Sequence, residues 1–204
     1  MSKPSLFTFF SRAALSLGLT IPAGAVTVTV SSSLPGGYTP TTTFGAGNTV
    51  SGATASFSAN AGTSNTSLTN YYLDPLPSTG YYAYAEAGAT VTLGYAAGVS
   101  SFSVLWGSPD STNDITFSGP GVLASYTGTQ LVADGLVTNA GPSQFVSFTG
   151  LGDVTSISFT SGVNSFEFGD IATVAAPSPE PASIALLAGG LLAVGFGAAR
   201  RRKQ

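Results

Sequence analysis

The chain has no cysteine and no histidine, and only 7% of its 204 residues are charged. Each shortage closes off some chemistry. Without Cys there is no disulfide to staple a domain, so stability has to come from burial. Without His or Cys there is no Ser-His or Cys-His nucleophile and no zinc site of the common kinds. The six basic residues all lie near the ends: Lys3 and Arg12 at one, Arg200, Arg201, Arg202 and Lys203 at the other. Between Gly24 and Ala199 there is no Lys or Arg, hence no Schiff base, no cationic phosphate clamp and nothing to neutralise nucleic acid.

The body retains acids only: Asp74, Glu86, Asp110, Asp114, Asp134, Asp153, Glu167 and Asp170, a side-chain net charge of −8. Paired carboxylates, as in glycoside hydrolysis, are the one catalytic constellation left open, with Glu86, Glu167, Asp110 and Asp114 available. Scattered acids on a base-free surface serve solvation equally well, and the expectation is a protein that is not an enzyme.

The basic ends have the layout of addressing segments. Lys3 and Arg12 precede the apolar run Ala13–Ile21 and the small-residue site Ala23-Gly24-Ala25, the three-part pattern of a secretory signal peptide spanning 1–25. At the other end, residues 182–199 are uncharged and followed at once by Arg200, Arg201, Arg202 and Lys203. As a helix they would reach roughly 27 Å, enough to span a hydrocarbon core, with the basic cluster as the cytoplasmic stop-transfer signal. Between body and helix, residues 175–181 form a Pro-rich tether ending in Pro179-Glu180-Pro181, where fixed φ angles favour an extended, protease-accessible chain.

Pro179-Glu180-Pro181, the Leu/Ala/Gly-rich helix and the terminal Arg cluster together resemble the PEP-CTERM sorting signal, also called the ice-binding protein C-terminal domain. The resemblance covers about the last thirty residues. It implies a Gram-negative bacterial protein that crosses the inner membrane through the Sec machinery. A C-terminal helix then holds it in that membrane until exosortase cuts it free to the cell surface or extracellular matrix.

In the body, 26–174, alternation points to strands. Val26-Thr-Val-Thr-Val30 and Ala53-Thr-Ala-Ser-Phe-Ser58 alternate small polar with apolar residues. Further strands are expected at 89–93, 101–106, 114–117, 123–126, 144–148, 156–159 and 165–168. Turn residues separate them about every ten positions, the rhythm of an all-β antiparallel sandwich of jelly-roll kind. No stretch shows sustained helical periodicity, and the densest apolar content, the expected core, runs from about 71 to 171. An ice-binding surface needs Thr-x-Thr rows over several strands, and Thr27-Val-Thr29 is one short row.

The order Trp106-Gly107-Ser108 with Asp110 and Asn113 before a strand, then Phe166-Glu167-Phe168 in the last strand, is similar to a group of exosortase-dependent surface proteins with one β-sandwich. Many relatives in that group have Phe-Glu-x-Asp-Asn where this chain has Phe166-Glu-Phe-Gly-Asp170. Two readings of the acids remain open. Asp110, Ser111 and Asn113 suit Asx and Ser/Thr turns. Alternatively Asp110, Asn113 and Asp114, helped by Glu167 or Asp170, are oxygen ligands for Ca²⁺, although no calcium-loop spacing is matched. Tyr71, Tyr72, Tyr81, Tyr82 and Tyr84 either offer rings to sugars or alternate as strand residues. The resemblance implies a structural or adhesive surface protein within an exopolysaccharide or biofilm matrix, with other surface proteins as partners. The alternative is a lectin-like carbohydrate-binding module assisted by calcium.

Overall fold

A computed structural model describes residues 26–36, 38–75, 80–139, 141–163 and 165–177. The strands in chain order are β1 Thr27–Ser31, β2 Thr43–Gly45, β3 Thr49–Ser51, β4 Thr54–Phe57, β5 Ala61–Ser64, β6 Tyr82–Ala85, β7 Thr90–Trp106, β8 Asn113–Gly119, β9 Val122–Thr127, β10 Gln144–Ser161 and β11 Phe166–Ala175. One short helix, α1 Gly128–Ala133, follows β9. Strand pairing is antiparallel throughout, as expected for an all-β chain.

Nine strands form one continuous sheet whose spine is the pair β7 and β10. The sequence reading divided each of these into two short strands, because Gly94, Gly98, Gly150 and Gly152 look like turn residues. Each is in fact continuous, and the ladder between them slips at Thr149, Val154 and Ser156. Gly150 and Gly152 take φ of 79° and 86° there, a left-handed backbone that other residues rarely adopt. Such bulges bend a strand while keeping it paired on either side.

The bend divides the sheet into two halves. In one, the order runs β4, β7 (Thr90 to Gly94), β10 (Ser156 to Thr160), β8 and β9. In the other it runs β5, β6, β11, β7 (Val99 to Trp106), β10 (Gln144 to Thr149) and β1. Period-2 alternation turns the large apolar residues of both halves inward. Phe102 from one half meets Phe117 from the other edge-on at 5.7 Å, and Phe159 stacks on Phe168 at 3.8 Å. Apart from Phe44, the buried apolar side chains fall between Tyr82 and Ala172.

Helix α1, at six residues, is too short to carry the sustained helical periodicity that the sequence lacks. Thr127 and Gln130 form a reciprocal capping box: each side chain accepts the other's backbone N–H. That satisfies two donors the first turn would leave unpaired. Leu131 on the inner face is 1% exposed, so one buried anchor and one cap hold a helix too short to persist alone. Among the described residues no helix is long and apolar enough to cross a membrane; the candidate span at 182–199 lies outside them, as do the signal segment and Pro179-Glu180-Pro181. Of the tether expected at 175–181, Ala175 ends β11 and Ala176 donates its N–H to the Gly98 carbonyl at 2.6 Å.

Candidate functional site

The Trp segment organises one end of the folded sheet. Trp106 closes β7 fully buried, its ring stacked on Phe166 at 4.6 Å. Gly107 then turns the chain, donating its N–H to the Glu167 carbonyl at 2.8 Å. The loop after it is held by groups from elsewhere rather than by Asx turns of its own. Asn139 Oδ1 accepts the Ser111 N–H at 2.9 Å, and Thr129 Oγ1 in α1 donates to the Ser111 carbonyl at 2.7 Å.

Glu167 lies in β11 and is 3% exposed. Its Oε1 accepts the backbone N–H of Leu73 at 2.8 Å and the Ser165 hydroxyl. Its Oε2 has no hydrogen-bond partner. Burial pushes its pKa above the ordinary carboxylate value, hydrogen bonds from Ser165, Leu73 and its own backbone pull it back only in part, and the Asp110 charge adds to the rise.

Beside Glu167 opens a groove of about 340 Å³, with Tyr71, Tyr72, Asn70, Asp110 and Ser165 among its walls. Leu73 and Ser108 are shared with an adjoining hollow of about 190 Å³ that reaches Asp74, Pro75 and Gly141. Among the described residues the buried side-chain polar atoms without a partner are Asp74 Oδ1, Trp106 Nε1, Thr112 Oγ1 and Glu167 Oε2, all on segments of this same end. Native folds satisfy the great majority of such atoms through protein groups or ordered water, and here the exceptions gather at one end of the sheet. Asn70 and Ser108 in the walls also take positive φ, 70° and 28°, which costs a residue with a side chain.

The sequence-derived ligand set is only partly brought together. Asp110 and Glu167 share the groove. Asn113 is buried below it, committed through Oδ1 to the Ser161 hydroxyl at 2.8 Å. Asp114, the next residue on β8, alternates to the opposite, outer face beside Thr127 and Thr160. Asp170 sits at a bulge in β11, half-buried, with its carboxyl raised by burial and by the Asp74 charge. Among the described residues no three acidic side chains are grouped to hold a metal ion.

The tyrosines divide. Tyr82 is fully buried, its hydroxyl donating to the Thr66 carbonyl at 2.8 Å, while Tyr84 in the same strand stacks on Tyr72 at 4.0 Å. Tyr71 stays 49% exposed at the groove. Leu73 and Asn139, which hold the groove together, carried no signal in the sequence because each acts on a partner far along the chain. The candidate motif residues Ala23, Ala25, Pro179, Glu180, Pro181, Arg200, Arg201, Arg202 and Lys203 lie outside the described residues. Compared with protein-family models, with curated proteins and with solved structures, the chain matches none.

Proposed function

We propose that this is an exported bacterial surface or matrix protein of structural and adhesive type, non-catalytic, sorted through its PEP-CTERM-like end and released by exosortase. The folded sheet is then a β-sandwich ectodomain of jelly-roll kind. The confinement of every Lys and Arg to the two ends carries the reading: charge serves delivery, and the body keeps no Lys, Arg, His or Cys, hence no imidazole or thiol nucleophile system and no phosphate clamp. Mass spectrometry of the mature protein from the native surface fraction tests it. The expected product begins at Val26 and ends near the Pro-Glu-Pro tether; peptides through Arg200 in that fraction would make the helix a permanent anchor.

A second reading, a lectin-like module, is favoured by the groove. Asp110 and Ser108 beside exposed Tyr71 and half-buried Tyr72 suit a sugar ring stacked on one face and hydrogen-bonded at its rim. Calcium would draw on Asp110 and Glu167 together with backbone carbonyls. Glycan-array binding of the chain with and without calcium, repeated with Tyr71→Ala, tests this reading; no saturable signal in either condition removes it.

A further inference from the structure

The outer face of the half built by β4, β7, β10, β8 and β9 is a lattice of hydroxyls that no single segment of sequence displays. Strand register places Ser56, Thr92, Ser158, Thr116 and Ser125 side by side, one from each of five strands, in a continuous row. A parallel row two residues along joins Thr90, Thr160, Asp114 and Thr127. On the other side Thr54, Gly94, Ser156, Ser118 and Leu123 form a third. Every position except Gly94, Asp114 and Leu123 carries a hydroxyl. Neighbouring strands lie about 4.8 Å apart and successive rows about 6.8 Å apart along them, from sheet geometry.

None of these positions is buried, while the residues alternating with them on the central strands, Val91, Leu93, Ile115, Phe117, Ile157 and Phe159, are fully buried. Within the central row, Thr92 bonds to Ser158 at 3.0 Å and Thr116 to Ser125 at 3.1 Å. These contacts hold the rotamers in place, and each hydroxyl, with one donor and two acceptor sites, keeps capacity directed outward. Order present before binding lowers its entropic cost.

Charge decides what suits this face. Asp114 is the one carboxylate among the three rows, and the body holds no cation to pair with a uronate, sulfate or phosphate. An acidic polymer approaching a body of −8 is repelled. A neutral chain meets no such barrier, and its hydroxyls donate and accept as those of the face do. The central row runs about 19 Å across the five strands, the length of several sugar units. Leu123, 83% exposed at the rim, supplies an apolar contact for the C–H side of a ring.

We infer that this face is a docking surface for an extended, uncharged polysaccharide laid along the hydroxyl rows. The inference rests on the adhesive reading above, and it names the partner class. It also places contact away from the tyrosine groove.

The test is depletion of the full-length chain from solution by swollen cellulose and dextran gel as neutral probes and polygalacturonate as the acidic one. At least one neutral probe should bind saturably and polygalacturonate should not. The triple variant T92V/T116V/S158A should bind at least tenfold more weakly, and Tyr71→Ala should bind as the parent does. Ser125→Arg, at an exposed edge-strand position whose hydroxyl bonds only Thr116 Oγ1 and the Ile115 carbonyl, should lose binding with little change in melting temperature, and it decides the matter if the triple variant unfolds early. Three results overturn the assignment: no depletion by either neutral probe, loss confined to the Tyr71 variant, or adsorption to ice in place of polymer. A chain correctly delivered to the surface that ignores neutral polymers refutes this face alone, whereas a chain missing from the surface refutes the export reading.

Discussion

Leu73 donates its backbone N–H to Oε1 of Glu167 across 2.8 Å, although the two residues stand 94 positions apart. That bond joins the tyrosine-bearing loop to the last strand, and so holds the groove wall to the core. Replacing Glu167 by Ala should leave the Leu73 N–H and the Ser165 hydroxyl unpaired at a cost of about 1–3 kcal/mol. Glu167→Gln keeps an acceptor without the charge and should cost less. Denaturant unfolding of the two variants measures the difference; equal losses would mean that the side chain only fills space.

The pH dependence should run opposite to ordinary acid denaturation. Burial raises the carboxyl pKa of Asp110, Asp114, Glu167 and Asp170 above their ordinary values of 3.8 and 4.5. The folded chain therefore holds protons that the unfolded chain has released. Their stabilising contribution is fully present below the unfolded values and is lost as pH rises through the raised folded ones. Melting temperature should fall from about pH 4 towards neutrality, and Glu167→Gln should flatten the fall. A melting temperature that climbs over that interval refutes the prediction.

Phe159 and Phe168 tie the two halves of the sheet by a parallel stack, centroids 3.8 Å apart at 11°. Both are fully buried. Truncating either to Ala leaves a cavity between the halves and should cost about 3–5 kcal/mol. Because the pair is in contact, the double variant should lose less than the sum of the singles. A double-mutant cycle by urea unfolding reads this coupling.

Two glycines should respond unequally to a single methyl group. A Cβ at Gly128 would stand 1.6 Å from the Asp110 carbonyl oxygen, where backbone would have to move. At Gly98 it would meet the Asp153 carboxylate at 1.4 Å, the free end of a side chain that can swing away. Gly128→Ala should therefore lower the melting temperature markedly and loosen the Trp loop, while Gly98→Ala should be mild. Thermal melts of the two variants compare them directly.

The helix cap is open to a smaller test. Thr127→Ala removes one half of the capping box and should cost about 1 kcal/mol. Amide exchange confined to Gly128–Ala133 would show the helix fraying while the sheet stays protected.

Much of the architecture is legible in alternation. Val28 and Val30 against Thr27 and Thr29, or Ile115 and Phe117 against Asp114 and Thr116, announce half-buried strands because side chains change face at every residue. The helix had a readable signal too, since Thr127-Gly-Thr-Gln130 is a capping-box spacing, but six residues are too few to show a period. The continuity of β7 and β10 was hidden by glycines that serve bulges instead of turns, and a glycine's conformational freedom does not say which. The loop of Tyr71 and Tyr72 gave no sign of its wall at Glu167, because nothing local links them.

Composition alone excludes most chemistry for this chain and separates basic ends from an acidic body, since residues that are missing cannot be supplied by any fold. Local pattern likewise determines strand, face and much of the core, because alternation acts between neighbours. Register, the bend of the sheet and the company kept by Glu167 were decided only in three dimensions. Thr27-Val-Thr29 is one short row wherever it is placed. Thr92, Ser158 and Thr116 become a surface only when bulges and hydrogen-bond ladders bring distant strands to the same level.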